Sequence, residues 1–254
     1  MSDQQAMTAH AAAALLSIVI PAKNEVVNLV PLIEEIAAAL ASVAFEIIVV
    51  DDGSADATIA QLAGLKPGRP WLRCLRHEFS AGKSAAIRTG VIAARGDVIV
   101  TVDGDGQNDP RYILPLVTAL TQGGPKCGLI AGQRLRREDG GWKKLQSRIA
   151  NAVRGAMLGD NTRDSVCGLK AFRRPVFLAL PYFDTMHRFL PALVLREGFA
   201  IGHVDVVDRP RQHGRSHYGM WDRLSVGLPD LLGVWWLIRR RKRAPQSEEV
   251  DLAR

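Results

Sequence analysis

Three short polar clusters carry the groups best suited to chemistry: Pro21-Ala-Lys-Asn-Glu25, Asp51-Asp-Gly-Ser54 and Asp103-Gly-Asp-Gly-Gln107. The third has the greatest weight. Asp103 and Asp105 stand two residues apart and Gln107 follows two further on, so one loop offers several hard oxygen donors. Mg²⁺ and Mn²⁺ prefer such donors, and usually complete their shell with substrate phosphates and water. An Asp-x-Asp alone is common by chance, but here it ends the apolar run DVIVTV. An EF-hand is excluded, because DGDGQND lacks the terminal glutamate and the flanking helices. No GxGxxG follows the first apolar run and no GxxxxGK[ST] occurs, since Gly82-Lys83-Ser84 lacks the upstream glycine.

Other reactive residue types give weaker signals. Asp51 and Asp52 have a plainer alternative as caps of the helix that follows. Cys74, Cys127 and Cys167 form no CxxC pair, so neither a zinc knuckle nor a disulfide framework is expected, and a reducing compartment fits. Cys167 reads as a core residue and not a nucleophile. His77, His187, His203, His213 and His217 lack metal-ligand spacing and are expected to be surface or structural, with His213 and His217 nearest the site. Asp164 either caps a turn before the strand at Val166 or orients an arginine, while Arg136 and Arg137 could belong to a solvated charge run.

The elements that must position these groups alternate regularly. Leu16 to Ile20, Phe45 to Val50, Trp71 to Leu75, Asp97 to Val102 and Cys127 to Ala131 are short β-branched or apolar runs. Between them Asn28 to Leu40, Ala57 to Leu65, Lys83 to Ala94 and Pro110 to Gln122 repeat apolar residues at helical spacing. That order predicts an α/β fold, a doubly wound, mostly parallel sheet flanked by helices. In such sheets ligands sit beyond the carboxyl ends of the strands, where all three polar clusters fall. After Gln133 the alternation fades. Arg134 to Asp160 is basic and largely helical in pattern, with Trp142, Leu145, Ile149 and Val153 on one face, and Val166 to Phe172 and His203 to Val207 read as further strands.

The 254 residues suffice for a sizeable core, and no linker divides them. We expect a flexible leader over 1–15, one domain over 16–220, an interfacial helix over 221–243 and a disordered tail over 244–254. The net charge of +7 calls for an anionic partner. Nucleic acid is disfavoured, since no helix-turn-helix pattern and no interleaving of aromatic and basic residues accompany the RRRKR run at Arg239 to Arg243. Leu224 to Ile238 is apolar but interrupted by Ser225, Asp230 and Pro229, too short for a spanning helix of about 20 residues. Trp235 and Trp236 followed by that basic run resemble an interfacial anchor on an anionic membrane surface; the alternative is a helix packed on the domain.

As an ordered set, PAKNE, VVDDGS, GKSAAIRTG and DGDGQNDP resemble the family 2 glycosyltransferases with the GT-A fold. AGQR, CGLKAFRR and RQHGRSHYG narrow the resemblance to the dolichol- or polyprenyl-phosphate sugar synthase branch, over Leu16 to Tyr218. The resemblance implies metal-dependent, inverting transfer of a sugar from a UDP- or GDP-sugar to undecaprenyl or dolichyl phosphate. It places such an enzyme peripherally on the cytoplasmic face of the membrane; a non-lipid acceptor is the alternative. By position, Pro21, Asn24 and Glu25 would hold the nucleotide and Asp52 the base. Asp103 and Gly104 would meet the donor diphosphate, and Asp103, Asp105 and Gln107 would hold Mg²⁺ or Mn²⁺. Asp105, Arg134 and Arg148 are the implied catalytic residues. Arg134, Arg148, Lys170, Arg209, Arg211 and Ser216 are implied around the phosphates and acceptor. Lys23 stands where the family often carries an aromatic residue, so base and ribose contacts are expected to differ there. Physics agrees with the outline: a diphosphate leaving group needs cations, which guanidinium forks and a divalent ion supply.

Overall fold

A computed structural model describes residues 15–135, 154–210 and 220–240. Its elements in chain order are β1 (Leu16–Ala22), α1 (Leu29–Ala39), β2 (Phe45–Asp51), α2 (Thr58–Leu65), β3 (Leu72–Arg76), α3 (Lys83–Ala93), β4 (Val98–Thr101), α4 (Ile113–Gln122), β5 (Cys127–Arg134), β6 (Lys170–Arg173), α5 (Arg174–Leu178), α6 (Leu190–Arg196), β7 (Ala200–Val206) and α7 (Met220–Arg239). The strands form one seven-stranded sheet in the order β3-β2-β1-β4-β6-β5-β7. β1 to β4 run parallel, β6 is antiparallel to both β4 and β5, and β7 is parallel to β5. The doubly wound, mostly parallel expectation therefore holds, with one reversed strand.

Side chains alternate across each strand, and both faces are covered. Ile18, Ile20, Ile47, Val49 and Val100 face α1 and α4, whose Leu29, Leu32, Ile33, Ile36, Ile113, Leu116 and Leu120 are buried against them. Val19, Ile48, Val50 and Ile99 face the other way, against Ile87 and Val91 of α3 and Leu190 and Leu193 of α6. Two buried layers leave the carboxyl ends of β1, β2, β3 and β4 in register along one edge, which is where the polar clusters sit.

Two expectations need correction, and a third lies mostly outside the described residues. The strand expected from Val166 begins only at Lys170, because Val166 N–H turns back to Asp164 Oδ1 at 3.2 Å and Gly168 passes against Asp103. Most of the helix expected over Arg134 to Asp160 lies outside the described residues, with helix seen at 154–158. Pro229 does not interrupt the C-terminal segment: α7 runs through it for 20 residues. Even so, no described helix is long and apolar enough to cross a membrane. The leader and the tail also lie outside the described residues.

α7 packs one side on the domain and leaves the other exposed. Val234 is buried, and Leu231, Trp235, Leu237 and Ile238 pack against the α3–α6 layer. Thr185 Oγ1 donates to Asp230 at 2.5 Å and Arg196 Nε to Leu237 O at 3.2 Å. On the other side Leu232 and Trp236 remain exposed, and Arg239 and Arg240 lie over the rings of Trp235 and Trp236.

Candidate active site

The loops after β1 and β2 are stitched together by Asn24. Its backbone takes a left-handed φ of 57°, its N–H donates to Ser54 Oγ at 2.8 Å, and its Oδ1 accepts from Ala55 N at 2.9 Å. Asparagine tolerates that conformation better than most residues. Glu25 accepts from Asn28 Nδ2 at 2.7 Å, and Pro21 stays half-buried above Gly104, whose Cβ position lies 3.2 Å from Pro21 O. These expected nucleotide-side residues are thus brought against the Asp-x-Asp loop.

Asp52, expected at the base, is engaged within the chain. It is buried, and each carboxylate oxygen already accepts two hydrogen bonds: His77 Nδ1 at 2.7 Å and Ala81 N at 2.9 Å on Oδ1, Ser80 Oγ at 2.7 Å and Gly82 N at 2.9 Å on Oδ2. Burial pushes its pKa up, but these bonds outweigh burial and hold it below the usual range. Asp52 shapes the loop that leads into α3.

The Asp-x-Asp loop is braced at both ends. Asp103 N donates to Asn108 Oδ1 at 2.9 Å, Gln107 N to Asp105 Oδ1 at 3.1 Å, and Arg209 N to Gln107 O at 2.8 Å. Asp103, Asp105 and Gln107 stay partly exposed. Lys83 Nζ approaches Asp103 Oδ1 at 2.5 Å. Gly168 explains its own identity here, since a Cβ would fall 2.1–2.3 Å from the Asp103 carboxylate. Among the described residues no three His, Cys, Asp or Glu side chains form a metal cage. Two adjacent carboxylates and an amide oxygen nevertheless fit Mg²⁺ or Mn²⁺ on a diphosphate, where substrate oxygens and water supply the remaining ligands.

The basic residues expected around phosphate are mostly engaged. Arg134 holds Asp164 with Nε and Nη2, and Asp208 with Nη1 at 3.2 Å. Burial lowers its pKa, yet the two carboxylates more than compensate and raise it. Asp164 therefore fills both roles open to it, orienting Arg134 and capping the turn at Val166. Burial also pushes Asp208 up, only partly offset by Arg134 and Asn108. Lys170 is fully enclosed, donates to the carbonyls of Ser165 and Cys167, and is pushed down to about 8 by burial. Arg209, also expected near phosphate, pairs through its guanidinium with Glu35 and, at 3.1 Å, with Asp109. Arg148, Arg211, Ser216, His213 and His217 lie outside the described residues.

Lys83, Thr101, Gly168 and His187 were assigned no site role from the sequence, yet together with the expected Lys170 they line one narrow recess beside Asp103. His187 Nδ1 meets Ser84 Oγ at 2.8 Å, and burial, with Lys83 and Lys170 nearby, pushes its pKa well below the usual imidazole value. One clue to Lys83 was available. A cation in the first turn of a helix opposes the helix dipole, so a carboxylate partner is called for. Cys167 is buried with its thiol pushed up to about 11, as a core residue should be.

Comparison with known proteins shows the family. Residues 17–180 match the family model Glycosyl transferase family 2. The chain is 37% identical over 235 residues to dodecaprenyl-phosphate galacturonate synthase of Rhizobium johnstonii, covering 90% of this chain and 68% of that protein. It is 35% identical over 218 residues to undecaprenyl-phosphate 4-deoxy-4-formamido-L-arabinose transferase of Pseudomonas aeruginosa, covering 84% of this chain but 62% of the relative's length. Among solved structures, glucosyl-3-phosphoglycerate synthase of Mycobacterium tuberculosis with Mn²⁺, UDP-glucose and phosphoglyceric acid superposes with a TM-score of 0.65 at 21% identity, covering 94% of this chain and 84% of that one. At that identity the likeness speaks for the fold.

Proposed function

Because the chain belongs to glycosyl transferase family 2, we propose that it transfers a sugar from a nucleoside diphosphate sugar to a polyprenyl phosphate. The observation that carries this reading is the Asp103–Gly104–Asp105 loop, held partly exposed at the carboxyl edge of a parallel sheet with Lys83 against it. The likeness to two relatives named for transfer to dodecaprenyl and undecaprenyl phosphate supports the acceptor.

The chemistry follows from the charges. An oxygen of the lipid phosphate attacks the anomeric carbon, the bond from that carbon to the diphosphate breaks, and the configuration inverts. A phosphate monoester has its second pKa at about 6, so the nucleophile is ionised at neutral pH and needs no general base. Asp103, Asp105 and Gln107 would hold Mg²⁺ or Mn²⁺, which supplies charge neutralisation to the departing diphosphate. Lys83 adds a cation on the same side. Arg134, fixed by Asp164 and Asp208, keeps the end of β5 in place beside this loop, and Arg148, Arg211 and Ser216 are proposed on the acceptor phosphate.

The exposed stripe of α7 gives the reaction a place to happen. Leu232 and Trp236 sit outward, ending in Arg239 and Arg240 at the head of the RRRKR run. An aromatic and aliphatic face beside cations suits the headgroup region of an anionic bilayer.

The acceptor is tested by offering the full chain a polyprenyl phosphate, the corresponding polyprenyl alcohol and a soluble phosphomonoester, with UDP- and GDP-sugars. Product on the lipid phosphate alone is expected. Transfer to the soluble phosphate alone would overturn the lipid acceptor and leave the family membership standing.

A further inference from the structure

The geometry points to Phe79 as the platform on which the donor's nucleobase stacks. This inference rests on the donor reading above and assigns a part of that site which the Asp-x-Asp loop does not supply. Phe79 is 72% exposed, more than any other large hydrophobic residue among those described. Single exposed hydrophobics are ordinary on protein surfaces. What sets Phe79 apart is the rigidity and the position of its backbone.

The rigidity comes from Asp52. Its four accepted hydrogen bonds tie His77, Ser80, Ala81 and Gly82, on both sides of Phe79, to one buried carboxylate. Gly53 locks the same segment from below. At φ 68° it has no room for a side chain, because a Cβ would lie 2.9 Å from Ser80 N and 3.0 Å from Phe79 C. A ring held out to water on so firm a base is prepared to meet another flat surface without further ordering cost.

The position follows from the sheet. β3 runs parallel to β2, His77 N donates to Asp51 O at 2.8 Å, and Phe79 thus emerges at the edge that carries the polar loops. Four residues later the same segment reaches Lys83, whose ammonium lies 2.5 Å from Asp103. That interval spans at most about 14 Å of extended chain, a length a nucleoside diphosphate can bridge. One end of the segment therefore touches the Asp103 carboxylate, beside the proposed diphosphate site, and the other presents a π-face. PAKNE, DDGS and DGDGQ contain no aromatic residue. Beside Phe79 an open groove is lined by Arg76, His77, Glu78, Ala81 and Ala85. Arg76, its Nε 3.4 Å from Asp51 Oδ2 and its side chain mostly exposed, adds a planar guanidinium to the same groove. Every base has a π-face, so stacking here contributes affinity without choosing between uracil and guanine.

The experiment is titration calorimetry on the full chain with UDP, GDP and inorganic pyrophosphate, each with Mn²⁺, comparing the native protein with Phe79→Ala and Phe79→Trp. Expected for Phe79→Ala is about tenfold weaker binding of the native protein's preferred nucleotide, or about 1.4 kcal/mol. Pyrophosphate binding should stay unchanged, and Phe79→Trp should bind the nucleotide at least as tightly as the native protein. Equal weakening for nucleotide and pyrophosphate would overturn the platform, as would no weakening for either, and both results leave the donor reading intact. A native chain that binds neither nucleotide would overturn both.

Discussion

Lys83 Nζ lies 2.5 Å from Asp103 Oδ1, joining the first turn of α3 to the first carboxylate of the Asp-x-Asp loop. On the proposed reading the pair brings a cation to the place where the donor diphosphate would bind. Both side chains are partly exposed, so the pair itself adds little stability. Lys83→Met should weaken nucleoside diphosphate binding about tenfold while shifting the unfolding free energy by less than about 0.5 kcal/mol. Calorimetry and denaturant unfolding on the same preparation separate the two effects.

Arg134 behaves in the opposite way. It is clamped between Asp164 and Asp208, with only 17% of its side chain exposed. Removing one member of a buried ion pair leaves uncompensated charge and costs about 3–5 kcal/mol. Arg134→Ala should therefore lower the urea midpoint strongly. Arg134→Lys, which keeps the charge and loses the fork, should recover less than half of that loss. An unchanged midpoint for Arg134→Ala would show that the clamp contributes nothing to the fold.

Asp52 sets a pH dependence. Its carboxyl is held below the usual range in the folded chain, so its stabilisation is fully present above the unfolded value near 3.8 and is lost as pH falls through the folded pKa. Asp52→Asn replaces one accepting oxygen by a donor facing Ser80 and Gly82, a cost of about 2–4 kcal/mol. The stability gap between native and Asp52→Asn proteins should be constant from about pH 7 to 5 and shrink below about pH 4. A gap independent of pH would mean that the ionised form plays no part.

The two faces of α7 make separable predictions. Val234→Ala should cost about 1–3 kcal/mol of stability, because that side chain is buried against the α3–α6 layer. Leu232→Ala with Trp236→Ala should leave stability unchanged and reduce cosedimentation with vesicles containing anionic lipid. Equal sedimentation of that double variant would exclude the exposed stripe as the contact.

How much of this was legible in the sequence depended on distance along the chain. The first five strands and four helices announced themselves through local apolar spacing, and the donor loops through contiguous polar residues at strand ends. The reversal of β6 had no local sign, since it is fixed by pairing Val98 with Arg173 across the intervening helices and strands. Likewise Ser84 meets His187 across 103 residues and Arg134 meets Asp208 across 74, so neither contact has a short motif. Arg209 shows the same limit: the family resemblance implied a phosphate contact, while its neighbours Glu35 and Asp109 had no local sign.

The most direct test of the account is product formation by the native chain and Asp105→Ala, each given polyprenyl phosphate, a panel of UDP- and GDP-sugars and Mn²⁺ or Mg²⁺, with products followed by mass. The native chain should yield a glycosylated lipid phosphate that disappears on adding EDTA. Asp105→Ala should fold normally and lose at least about a hundredfold in rate, the scale of removing one group that stabilises developing charge. Full turnover by Asp105→Ala, or by the native chain in EDTA, would contradict the account.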